Sequence, residues 1–144
     1  MQPLDKDSLF SIFDQGDEAI YQEHNVQDVL KNPFVLMGMV VNGVHNYRLM
    51  DIMYTRHYGN KYKSVQKEVK YKYFNKLYNY LLRIDQKDFL PEYKIGESFN
   101  GLHALTCLNE VLFYFEFIEE YEKCARIKMF IDLLKEEITN NVKT

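Results

Sequence analysis

The stretch Tyr62-Lys-Ser-Val-Gln-Lys-Glu-Val-Lys-Tyr-Lys-Tyr-Phe-Asn-Lys-Leu-Tyr-Asn-Tyr-Leu-Leu-Arg-Ile-Asp85 decides the fold class. Its apolar positions Tyr62, Val65, Val69, Tyr73, Leu77, Tyr80 and Ile84 step by three or four, the period of one face of an α-helix. Phe74 and Leu81 widen the stripe. The residues between are mostly lysine and asparagine, so the segment is predicted to be an amphipathic helix over about 62–85, one side against a core.

Working outward, Asn32-Pro33 is a helix start, with Asn as the N-cap and Pro at the first helical position. The helix is predicted over about 33–58, with Gly59-Asn60 as its stop. Residues 34–41 are apolar all round, as in a central bundle helix. Asn42-Gly43 between apolar runs is a competing hairpin signal. The spacing of Val44, Tyr47, Met50 and Tyr54 favours helix. Toward the N-terminus the chain is acidic, and one or two short helices are predicted within 7–31. Pro91 and Gly96 mark a loop over 86–99. A helical hairpin is predicted over about 100–139, capped by Ser98 or Asn100. Leu102, Leu105, Leu108, Leu112, Phe115 and Ile118 form one stripe. Ile127, Phe130, Ile131, Leu134 and Ile138 form the other, with a turn near 119–122. The expected architecture is a single all-α domain, an irregular bundle of about five helices.

Composition agrees. The chain has 144 residues, 47% of them hydrophobic and 27% charged, which suits one folded domain and excludes disorder. With only 6 Gly and 3 Pro it lacks the punctuation of a many-turned β protein. Cys107 and Cys124 are too few for a disulfide framework. No apolar h-region follows Met1, and the longest apolar run falls far short of the ~20 residues of a membrane span. A reducing cytoplasm and no membrane association are therefore expected. An excess of Lys, Asn, Tyr and Ile, all with AT-rich codons, fits a bacterial or phage source.

The net charge of −3 conceals an uneven distribution. Residues 1–53 hold 3 basic and 8 acidic side chains, residues 54–83 hold 8 and 1, and residues 84–144 hold 7 and 12. The basic block Arg56, Lys61, Lys63, Lys67, Lys70, Lys72, Lys76 and Arg83, together with Tyr73, is the candidate interaction surface. Cations interleaved with tyrosines can track phosphates and stack bases. However, the lysines flank the apolar stripe on both sides instead of forming one ridge, and the chain is acidic overall. An acidic protein partner or a second copy of the chain is therefore the expected partner, with nucleic acid as the alternative.

Chemistry-bearing residues are sparse. His103, Cys107 and Glu110 share a helical face at i, i+4 and i+7, but a structural zinc site wants four ligands and no second pair stands at ligand spacing. The same His–Cys pair lacks a visible oxyanion site for nucleophilic catalysis, with Asn100 or Asn109 as its candidate orienting group. Asn42, His45, Asn46 and Asp51 form a polar patch that either lines a pocket or consists of satisfied polar groups. There is no Glu-x-x-His, phosphate loop, His-Glu-x-x-His or Gly-x-Ser-x-Gly. No cofactor, metal or catalytic residue is expected. The predicted role is a non-enzymatic interaction module, such as an adaptor, inhibitor or assembly subunit. Met37, Met39, Met50 and Met53 are candidates for an adaptable contact surface. A small-molecule or enzymatic site near His45 or His103/Cys107 is a further alternative.

Within residues 113–138, the run from Tyr121 through Cys124-Ala125 and Lys128 to Ile131 resembles the second half of UVR-type helical hairpins. It departs from their pattern at Met129, where the family prefers Asp. The resemblance implies a protein–protein contact element.

Overall fold

The computed structural model describes residues 32–87 and 101–143, and all long elements there are helices. The helices expected within 7–31, most of the loop expected over 86–99 and the proposed caps Ser98 and Asn100 lie outside the described residues. We label the described helices α1 (Pro33–Tyr58), α2 (Asn60–Lys63), α3 (Gln66–Arg83), α4 (Gly101–Phe117) and α5 (Tyr121–Lys143). The protein is all-α. No described helix is long and apolar enough to cross a membrane.

Helix α1 begins where Asn32-Pro33 predicts. Asn32 is extended, and its Oδ1 accepts hydrogen bonds from the amides of Phe34 at 2.9 Å and Val35 at 3.4 Å. These satisfy two of the donors that a helix start leaves unpaired. The helix runs unbroken through Asn42-Gly43, so the hairpin alternative is excluded. It stops at Gly59, whose φ of 56° falls where only glycine sits without strain. Met37, Met39 and Met50 are buried in the core and only Met53 of that group is exposed, so a methionine contact surface is not formed.

The segment read as one helix from Tyr62 is two. Tyr62 belongs to the single turn α2, Ser64 and Val65 break the run, and α3 begins at Gln66. A buried polar corner accounts for the break. Tyr62 is fully buried, and its hydroxyl donates to Asp51 Oδ1 at 2.6 Å. Gln66 Nε2 donates to the same oxygen at 2.9 Å. Burial, followed by the bond to Asp51, holds the Tyr62 hydroxyl far above the ordinary phenol range. Beyond the corner the stripe packs as read: Val69, Tyr73, Leu77, Tyr80 and Ile84 are buried, with Phe74 and Leu81. The C-terminal end of α3 is held from α5. Arg126 Nη2 donates to the carbonyls of Leu81 at 3.2 Å, Leu82 at 3.4 Å and Ile84 at 2.9 Å, placing a cation where the helix dipole is negative.

Helices α4 and α5 form a hairpin. Glu119 takes the left-handed φ of 63°, and the Glu120 amide donates back to the Phe115 carbonyl at 3.0 Å, closing α4 as a Schellman-type turn. The turn therefore falls at 118–120, and Tyr121 already opens α5. Ile127, Phe130, Ile131 and Leu134 of the α5 stripe are buried as read, and Ile138 is half-buried. The α4 stripe is displaced. Ala104, Cys107, Leu108, Val111, Tyr114 and Phe115 are buried, while Leu102 is 62% exposed. Side-chain pairings set the helix directions. Gly43 faces Leu77 and Asp51 faces Gln66, so α1 and α3 run antiparallel. His45 faces His103 and Arg48 faces Glu110, so α1 and α4 run parallel.

One buried charge bears on stability. Glu137 on α5 is buried, and desolvation raises its carboxyl above the ordinary value of 4.5. A raised folded-state value means that the native protein holds this proton more tightly than the unfolded chain. Stability is then lost as pH climbs through the folded value. Glu137→Gln is expected to melt higher than wild type near neutrality. The two should coincide once pH is below the ordinary carboxyl range. A thermal melt series against pH reads this, and an equal gain at every pH would reject a desolvated carboxyl as its source.

Candidate functional site

The basic block is spread over several environments. Arg56, Lys61, Lys63, Lys67 and Arg83 are exposed, whereas Lys70, Lys72 and Lys76 are half-buried. Tyr73 is 4% exposed and packs on the Tyr47 ring at 5.5 Å, so it belongs to the core and not to the interaction surface. Several of the cations sit over rings of the bundle itself. Lys70 Nζ lies 5.7 Å from the Phe74 centroid and 5.1 Å from that of Tyr114. Lys76 and Arg83 both lie over Tyr80, at 6.0 Å and 5.6 Å.

A cleft opens where α1, α3 and α4 meet. It has two continuous lobes of about 410 and 580 Å³ that share Tyr47, Lys70, Tyr114 and Phe117. Its floor is aromatic, with Tyr47 edge-on to Phe74 at 5.3 Å and Phe74 against Tyr114 at 4.5 Å. Burial, and then the nearby Glu120 and Tyr71, push the Tyr114 hydroxyl up to about 12, so this phenol stays neutral. Lys67, Lys70 and Gln66 line one side, and Asp51 sits at the corner already described. The α4 wall ends in Phe113 and Phe117, which are 71% and 79% exposed. Leaving two such rings in water is unfavourable, and covering them is a gain available to a partner. The sequence places both rings on α4, but the period of three and four does not set them apart from the core stripe.

The second feature lies on the same α1–α4 seam. His45 comes from α1, and His103 and Cys107 from successive turns of α4. Their ligand atoms all lie within 4.8 Å of one another. The two Nε2 atoms are 2.6 Å apart, with ring centroids at 4.6 Å and planes inclined by 13°. Cys107 is buried, His45 is half-buried and His103 is exposed, so the cluster has a closed base and an open top. Burial, then His103, then Arg48 lower the His45 value, which favours neutral imidazole. Burial pushes the Cys107 thiol up, opposed in part by Arg48. Glu110, expected to join His103 and Cys107, instead makes an ion pair with Arg48. Cys124 is buried on α5 as a free thiol outside this group. Of the polar patch, Asn42 and Asn46 are exposed, and Asp51 is taken up by the Tyr62–Gln66 corner.

The chain is thus an all-α bundle with an aromatic cleft beside a His–His–Cys cluster. Comparison with protein-family models, with curated proteins and with solved structures finds no match.

Proposed function

We propose that this chain is a non-enzymatic protein-interaction module whose α1–α3–α4 cleft receives an acidic protein segment carrying apolar side chains. The observation that carries this reading is the pair Phe113 and Phe117, left largely exposed on the rim of an aromatic-floored cleft. Exposed aromatics beside a pocket are the usual anchors of an interface. In the lining Arg48, Lys67 and Lys70 outnumber Asp51 and Glu110, a positive balance that favours an acidic partner. The UVR-like stretch of α5 lies in the other arm of the same hairpin and fits a contact element. Nucleic acid has weaker support as a ligand. Of the tyrosines interleaved with the cations, Tyr62, Tyr73 and Tyr80 are buried and Tyr58 and Tyr78 half-buried, which leaves Tyr71 as the exposed ring for stacking on bases.

Removing a central aromatic anchor typically costs about 2 kcal/mol of binding, or roughly a 30-fold rise in Kd. Phe117→Ser and Lys70→Glu are therefore each expected to abolish or sharply weaken capture of the partner without unfolding the chain. The measurement is co-purification with wild type and the two variants, followed by titration of purified components and light scattering of the chain alone. Identical captured proteins with all three, or a monomer that captures none, would overturn this reading. Self-association that Phe117→Ser removes would assign the cleft to a second copy instead of an acidic partner.

A further inference from the structure

We propose that His45, His103 and Cys107 form a binding site for one borderline-soft transition-metal ion of the zinc class, with a fourth coordination position open to water. The proposal is independent of the interaction role assigned to the cleft.

The argument starts from convergence. Two imidazoles and a thiol reach one point from two separate helices, with every pair of ligand atoms within 4.8 Å. The helical register presents His103 and Cys107 from one face of α4, and the parallel packing of α1 brings His45 opposite. The two histidines aim the same atom, Nε2, at each other across 2.6 Å. Only one proton fits between them, so one Nε2 donates and the other accepts with an unprotonated lone pair directed at the shared point. Tetrahedral zinc with bonds of about 2.0–2.3 Å places its ligand atoms roughly 3.3–3.7 Å apart. The rings therefore need to part by less than about 1 Å, and the widest pair of ligand atoms, which the cluster holds within 4.8 Å, needs to close by about 1 Å, to admit the ion. His103 is exposed and has room for that adjustment.

The donor set fits the metal class. Thiolate and imidazole select zinc and its neighbours over magnesium or calcium, which want oxygen ligands. Three protein ligands and an open position are the arrangement of a zinc site that keeps an exchangeable water. On binding, Cys107 loses its thiol proton to solvent and the histidines bind through neutral nitrogen. The histidine whose Nε2 carries the shared proton gives it to solvent and takes one up at Nδ1, so the Nε2–Nε2 hydrogen bond is replaced by two metal–nitrogen bonds and the net release is the one thiol proton. The nearby Arg48 cation, which would oppose the ion, is met by the Glu110 carboxylate.

The test uses the full chain without a histidine tag, reduced and stripped with a chelator, then titrated with cobalt(II) and with zinc. Cobalt(II) reports ligands directly, because a bound thiolate gives charge-transfer absorption in the near ultraviolet and tetrahedral geometry gives intense visible bands. We expect one equivalent of cobalt with both signatures, displaced by zinc. Replacing an outer-shell partner of a metal ligand costs 10–100-fold in affinity, so His103→Asn and His45→Asn are each expected to lose at least about 100-fold. Cys107→Ser should lose the thiolate band. Because Cys107 is buried, the exposed His103→Asn keeps the test decisive if Cys107→Ser does not fold. His57→Asn, elsewhere on α1, should bind as wild type does. Cobalt that binds without a thiolate band, no stoichiometric binding, or unchanged affinity in His103→Asn would overturn the site.

Discussion

Phe115→Ala is expected to cost about 3–5 kcal/mol of folding stability, the range for truncating a fully buried phenylalanine. Phe115 has no exposed surface. It sits on α4 with its ring edge-on to Tyr78 of α3 at 5.9 Å and to Tyr114 at 5.2 Å. The Lys123 ammonium of α5 lies 5.2 Å from its centroid. One side chain therefore ties α4 to both neighbours. Its removal leaves a cavity that three separate helices would have to move to close, which places the loss at the upper part of the range. Domains of this size have about 5–15 kcal/mol to lose, so a large fraction of molecules should unfold at modest denaturant. Urea unfolding should show a lower midpoint with an unchanged slope. Phe117 provides the contrast. It lies two residues further on and is 79% exposed, so Phe117→Ala is expected to stay within about 0.5 kcal/mol of wild type. Equal losses at the two positions would mean that the α4 face is misassigned. The contrast also separates fold from role, because the Phe117 position should weaken binding while leaving stability intact.

The legibility of these helices follows from their chemical contrast. Helix α3 was readable because lysine and asparagine flank its stripe, so only one side can be buried. Helix α4 is apolar nearly all round. Its leucines at 102, 105, 108 and 112 have a helical period, but of these only Leu108 is buried, and the buried face runs through Ala104, Cys107 and Val111 beside it. Ala104 and Cys107 are small, and a pattern weighted by hydrophobicity favours the larger leucines. The break at Ser64-Val65 carries no glycine or proline. It is set by Asp51, which binds Tyr62 and Gln66 at once and is 11 and 15 positions away. The cluster was half legible. His103 and Cys107 are one helical turn apart and announce themselves, whereas His45 is 58 positions from His103 and joins only through α1–α4 packing. Glu110 has the right spacing but a better partner in Arg48.

Gly43 carries the second large effect. The Asn42-Gly43 pair reads as a turn, yet it lies in the middle of a 26-residue helix. Glycine there costs about 1 kcal/mol relative to alanine in helix propensity, so a compensating reason is required. The reason is Leu77. A Cβ added at Gly43 would collide with the Leu77 Cδ2 methyl, and Leu77 is itself only 1% exposed. One turn further along α1, Tyr47 packs on Tyr73 and Phe74, so the two helices are clamped on that side as well. Overpacking of this kind typically costs 1–3 kcal/mol and occasionally more. Gly43→Leu is therefore expected to lose at least about 3 kcal/mol, and Gly43→Ala a net loss of up to roughly 2 kcal/mol after its propensity gain. The mechanism is separable from a backbone effect by pairing the change with its target. Leu77→Ala alone should cost about 2–5 kcal/mol through the cavity it leaves. In the double variant the new methyl at 43 enters that space, so the combined loss should fall short of the sum by about 1 kcal/mol or more, within the usual span of contact couplings. Strict additivity, or a Gly43→Ala protein more stable than wild type, would show that α1 and α3 do not approach through this residue. The parallel alignment of α1 against α4, on which the cleft and the histidine pair both depend, would then lose its anchor on the α3 side.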